Sequence, residues 1–205
     1  MKRPLAVFVL ALAVAGCSGG LLATHGDAPQ VYRVAGAPAA PSGGASLPEA
    51  LAVARPRAAS SLDTERIAVV RGSGFDYFAG VRWSDPAPQM LQQVLVEALV
   101  ADGRFATAVT APSRVPVEFL LDIELREFAA FYETADALPR VRVQWQATLL
   151  DARSGTRVAS FHVGSMAAAA ENRRDALIAA FQQATQAAVD ETVARIRAGS
   201  ESLRR

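Results

Sequence analysis

Residues 140–149 read RVRVQWQATL, and the way they alternate decides the fold. Val141, Val143, Trp145, Ala147 and Leu149 fall on one face, and Arg140, Arg142, Gln144 and Gln146 on the other. That is the period of two expected of a half-buried strand. The same pattern lies just upstream, where Phe119, Leu121, Ile123 and Leu125 alternate with Glu118, Asp122, Glu124 and Arg126. Downstream, residues 151–155 (DARSG) read as a turn, and Arg157 to Met166 returns as a third strand. Consecutive strands with short connections predict an antiparallel meander with one wet face.

Further toward the N-terminus, residues 66–71 (RIAVVR) read as a buried strand, and Gly72-Ser73-Gly74 as a turn. Phe75 to Ala79 continues as a second strand or an extended bend. Asp85-Pro86 has the form of a helix start, with Asp85 as cap and Pro86 in the first helical position. Met90, Leu91, Val94, Leu95, Ala98 and Leu99 then repeat at helical spacing, and Asp102-Gly103 ends the helix. Phe105 to Val109 is a short strand closed by Pro112 and Pro116. A last helix runs from about Glu171 to Arg197, with Leu177, Phe181, Ala184, Ala188 and Ile196 on its core side. Val31 to Val34 is a candidate extra strand, and Leu47 to Val53 reads equally as strand or loop. The predicted class is α+β: a mixed, mostly antiparallel sheet covered on one face by two helices.

The chain begins with the basic Met1-Lys2-Arg3 and a run of ten apolar residues, Leu5 to Val14. That run is too short to span a bilayer, which takes about 20 residues, and suits the apolar part of a signal peptide. It ends in Val14-Ala15-Gly16-Cys17, which resembles the bacterial lipobox at every position. The resemblance implies cleavage before Cys17 and fatty acylation, for example with palmitate, of its thiol. Cys17 is the only cysteine, so no intramolecular disulfide forms. Two or three acyl chains anchor stably at about 0.8 kcal/mol per buried CH₂. Ser18, not Asp, follows the cysteine; by the proteobacterial sorting rule that implies the periplasmic face of the outer membrane.

Residues 17–48 are rich in Gly, Ala, Pro and Ser and are expected to form a lipidated flexible tether. Residues 1–16 are then the signal peptide, 49–198 the folded domain and 199–205 a polar tail. The processed chain carries 19 arginines against 20 acidic residues, leaving no basic field for nucleic acid. His25 and His162 lie far apart in the chain, which offers neither a zinc site nor a triad. Gly72-Ser73-Gly74 lacks the rest of a phosphate loop. Asp122 and Glu124 alternate with apolar residues as the wet face of a sheet does. No enzyme activity, metal or cofactor is expected. The aromatic group Phe75, Tyr77, Phe78 and Trp83 has two readings: packing at a sheet–helix junction, or contact with a partner or lipid, where Tyr and Trp are enriched.

Several stretches resemble the ABC-type transport auxiliary lipoproteins: the lipobox and tether, Tyr32 in an entering strand, and residues 62–68 (LDTERIA). Residues 75–86 (FDYFAGVRWSDP) and the Ala-rich final helix with Ala180 to Ala184 add to this. The resemblance spans about residues 30–197. It implies an α/β sandwich similar to the N-terminal domain of the Tol-system propeller protein. It also implies an auxiliary role beside an ATPase, a permease and an MCE-type periplasmic protein that move lipids or other hydrophobic solutes between membranes. The chain would dock that assembly at the outer membrane; whether it forms a homo-oligomer is left open. The alternative is an envelope-assembly lipoprotein of another system, Tol-like or lipopolysaccharide assembly, sharing the fold.

Overall fold

The computed structural model describes residues 28–36, 46–134 and 137–201. The signal segment, Cys17 and much of the expected tether lie outside the described residues. The elements in order are β1 (Gln30–Tyr32), β2 (Leu47–Val53), β3 (Arg57–Ala58), β4 (Arg66–Arg71) and β5 (Gly74–Trp83). They continue with α1 (Ala87–Asp102), β6 (Phe105–Thr110), β7 (Phe119–Tyr132), β8 (Arg140–Asp151), β9 (Arg157–Ala168) and α2 (Arg174–Glu201).

The long strand β7 organises the sheet. One of its edges pairs along its length with β8, which pairs in turn with β9, both antiparallel, as the alternating sequence requires. The other edge is shared by three strands parallel to β7: β2 at Phe119–Leu121, β3 at Glu124–Leu125 and β4 at Ala129–Tyr132. Beyond β2 lies β6, parallel, and beyond β4 lie antiparallel β5 and then parallel β1. The sheet is therefore mixed, and its longest ladders are antiparallel. Leu47 to Val53, ambiguous in sequence, is a strand because it lies between β6 and β7, with Leu51 and Val53 0% exposed.

Both helices lie on one face. Every residue of the α1 stripe from Met90 to Leu99 named above is buried, as are Leu177, Phe181, Ala184, Ala188 and Ile196 of α2. Trp145 is fully buried and donates its indole N–H to Thr192 Oγ1 at 3.1 Å. Gly103 closes α1 at φ +68°, a left-handed conformation that glycine adopts without strain. The helix starts one residue later than expected. Pro86 is the cap and makes no side-chain capping bond, so Asp85 does not cap the helix; its carboxylate instead accepts from Gln89 and from Ser84.

The expected tether, 17–48, is partly built into the body. Gln30–Tyr32 extends the sheet, and the Gln182 side-chain amide pairs with both the N–H and C=O of Ala35. Gly36 sits against Val94, where an added Cβ would meet the valine at 3.3 Å. Composition marks this segment as loose because it is too short to show a period. It is ordered by an open strand edge and by one glutamine about 150 residues away.

Candidate functional site

The face of the sheet opposite the helices is open, and the half where β7 ends carries most of its aromatic side chains. Register aligns Phe75 with Val70 and Val70 with Phe131, and Tyr77 with Ala68 and Ala68 with Ala129. Phe75 and Tyr77 meet edge to face with centroids 5.5 Å apart. The Arg66 guanidinium lies 3.6 Å from the centre of the Tyr77 ring, and the Tyr77 hydroxyl donates to the Ser61 carbonyl at 3.1 Å. Arg142 lies 4.1 Å over Phe131. Such stacking orients a cation while leaving its N–H groups for a partner.

Between these rings and the 59–62 loop is an open, mainly apolar cavity of about 280 Å³, lined by Leu62, Phe75, Arg126, Glu127, Phe128 and Phe131. Glu127 Oε1 is 3.9 Å from Arg142, and its Oε2 is buried without a hydrogen-bond partner. Phe75 is 46% exposed and Met166, aligned with Arg142 on β9, is 55% exposed. Burial raises the Tyr132 hydroxyl above its ordinary pKa, opposed by the nearby Arg71 guanidinium. A second cavity, of about 540 Å³, lies at the other end of the sheet among Glu49, Glu118 and Asp151, with Arg153 and Ser154. There the Ser154 backbone N–H, followed by its hydroxyl, lowers the Asp151 pKa.

The four aromatic residues singled out in the sequence do not form one cluster. Phe75 and Tyr77 belong to the open face, whereas Phe78 is half-buried against the core. Trp83 is 1% exposed and packs against Phe128 and Phe181 at centroid distances of 5.6 and 5.0 Å. The contact reading of Trp83 is therefore corrected: no partner reaches it in the folded chain. The cause is a change of register between β4 and β5. Four residues, Phe78 to Val81, lie between Tyr77 and Arg82 on β5, against Ile67 alone between Ala68 and Arg66 on β4, with Gly80 at φ +72°. An odd excess reverses the alternation and turns Trp83 inward. Phe131, Leu62 and Met166 were missed because their neighbours come from distant strands. The open-face parity of Met166 with Ser160 and His162 was the one available signal.

Asp122 accepts an ion pair from Arg57 at 2.8 Å, and His162 is exposed. Among the described residues no group of His, Cys, Asp and Glu has the geometry to hold a metal ion. Nor is any described helix long and apolar enough to cross a membrane.

The model for the ABC-type transport auxiliary lipoprotein component matches residues 32–193. The chain belongs to this family. In this auxiliary lipoprotein the matched span runs from β1 through most of α2. A prokaryotic membrane lipoprotein lipid attachment site matches residues 1–18, whose one cysteine is Cys17, so the auxiliary lipoprotein is lipid-anchored to a membrane. A solved protein of Xanthomonas campestris is 28% identical with a TM-score of 0.70, the match covering 86% of this chain and 97% of that one. A hypothetical protein of Chlamydia trachomatis shares the fold at 10% identity and TM-score 0.53, over 74% and 96% of the two chains. PelC of Paraburkholderia phytofirmans, a dodecamer, does so at 13% and 0.50, over 78% and 94%. No curated protein matches the auxiliary lipoprotein.

Proposed function

We propose that this auxiliary lipoprotein, held at the periplasmic face of the outer membrane by lipids on Cys17, docks an MCE-type periplasmic protein. That protein belongs with an ABC permease and ATPase moving lipids or other hydrophobic solutes. Family membership over residues 32–193 is the observation that carries the reading. The exposed ring of Phe75, with Tyr77 beside it, supplies the contact surface, since aromatic side chains and arginines dominate the centres of protein interfaces. The role is binding, without catalysis or a cofactor.

The test is co-purification of the tagged full-length protein from detergent-solubilised membranes, with mass spectrometry of what it brings down. The permease, the ATPase and the MCE-type protein are the expected partners, and Phe75→Ala is expected to reduce their yield without lowering the amount of lipoprotein. Recovery of Tol-like or lipopolysaccharide-assembly components in their place would replace this reading with the other envelope role.

A further inference from the structure

We propose that the outer edge of β9 is an interface between two copies of this chain, which pair antiparallel, β9 against β9, across a two-fold axis normal to the sheet. The surface is separate from the docking reading: β4, β7 and β8 lie between it and the Phe75 and Tyr77 rings on β5.

β9 has 12 residues and pairs with β8 alone, so its outer row of backbone N–H and C=O groups has no strand partner. Its ladder to β8 is regular from Ala159 to Ala168, the one irregularity lying at its start. Soluble proteins protect such edges with lysines, prolines, bulges or short length. Residues 158–168 (VASFHVGSMAA) contain no Asp, Glu, Lys, Arg or Pro. Paired with itself, this segment opposes no like charges, which destabilise a cross-strand pair. Length selects the same occupant. The outer strands elsewhere in the sheet, β1 and β6, have 3 and 6 residues and cannot match the 12 of β9. A two-fold axis at His162 or Val163, the middle of the strand, pairs nearly its whole length.

The helix layer fits the same axis. α2 reaches both edge strands: Thr192 accepts from Trp145 on β8, and Ser165 of β9 donates to the Ala184 carbonyl at 2.6 Å. Its axis therefore lies above the gap between β8 and β9. Joining two β9 strands puts the two α2 axes about 10 Å apart, one strand spacing plus half a spacing on each side. Helices pack at that distance through small side chains. A quarter turn outward from Thr192 and Ala184, α2 carries Ala176, Ala180, Ala187, Ala194 and Ala198. Glu191 is the charged exception on that flank, and Arg195, one turn on, pairs with it at 3.1 Å.

The area suffices for a stable dimer. β9 and the 28-residue α2 are each about 40 Å long. Strand and helix together stand about 20 Å high, so each copy presents on the order of 800 Å², the share of one partner in a standard interface.

Full-length lipoprotein in detergent would be weighed by native mass spectrometry and treated with a short bis-maleimide cross-linker. Cys17, the one native cysteine, carries the lipid, so an introduced cysteine reacts alone, with the unsubstituted protein as blank. A dimer is expected. His162→Cys should cross-link many-fold faster than Val100→Cys, a 55% exposed position on α1. Ser160→Lys, on the exposed row of β9, and Ala187→Arg, on the α2 flank, should each give monomer with unchanged circular dichroism, whereas Val100→Arg leaves the dimer intact. If Ala187→Arg does not fold, Ser160→Lys reads the strand contact by itself. A monomer at every concentration, equal cross-linking at His162 and Val100, or a dimer that survives Ser160→Lys overturns the proposal. So does a ring of more than two copies, or a cross-link from His162→Cys to a different protein.

Discussion

Along β8 one strand presents two kinds of surface. Under the helices stand Val141, Val143, Trp145, Ala147 and Leu149, each 0% exposed. On the open side Arg140, Arg142, Gln144, Gln146 and Thr148 keep contact with water or with polar neighbours on the next strand, as in the 3.1 Å bond from Gln146 to Ser160 of β9. The covered face gains stability from excluding water around close-packed side chains. The open face gains little from its ion pairs, which are exposed and worth at most about 1 kcal/mol each. Its residues are free to be chosen for contact. Substitutions on the two faces should therefore separate folding from binding.

The sharpest test of that separation is at the two tryptophans. Trp145→Ala and Trp83→Ala should each destabilise by roughly 3–5 kcal/mol, a large part of a domain's usual stability. A contact role for Trp83 would make Trp83→Ala the milder change; its packing against Phe128 and Phe181 removes that difference. Urea unfolding of both would show it, and a clearly milder Trp83→Ala would place that ring outside the core. Next in size, Thr192→Val deletes the acceptor for the Trp145 indole and the hydroxyl's bond to the Ala188 carbonyl. A loss of about 1–2 kcal/mol is expected by the same measurement.

On the open face, Phe75→Ala should change stability by no more than about 0.5 kcal/mol, as surface substitutions usually do. It should act on partner yield instead, and a large fall in unfolding midpoint would assign Phe75 to the core. The smallest effect concerns acid. Hydrogen bonding to Arg55 holds the Asp63 carboxyl below its ordinary value. A depressed folded-state pKa adds stability above the unfolded value of about 3.9, and this is lost as pH falls through the folded value. Arg55→Gln should therefore lower stability slightly at neutral pH and flatten its decline below about pH 4, read from thermal midpoints at several pH values.

The covered face was largely legible because a period of two or 3.6 is a property of neighbouring residues. The β7–β8–β9 meander, the strand at residues 66–71 and both helical stripes follow from such patterns. The shape of the open face was not, because it depends on register. The register change near Gly80 turns Trp83 inward, and a second shift between Leu125 and Glu127 lets Phe128 join the core in place of Glu127. Neither leaves a local mark stronger than one glycine. The parallel placement of β2, β3 and β4 along one edge of β7 is equally hidden, since parallel pairing joins segments that no short turn connects. The candidate site was legible to the extent of Phe75 and Tyr77, whereas its far wall, Leu62 and Phe131, depends on that placement.

The clasp that Gln182 forms on Ala35 has a mechanical consequence. A pull on the chain ahead of Gln30 acts along the axis of β1, because that strand lies parallel to β5 and points away from the pull. The β1–β5 bonds, the Gln30–Arg174 bond and the paired amide on Ala35 then share the load as a bundle. Bonds loaded in shear yield together, at higher force than bonds peeled one by one. A tug from the lipid anchor is borne by these fastenings at the sheet edge before it reaches the core.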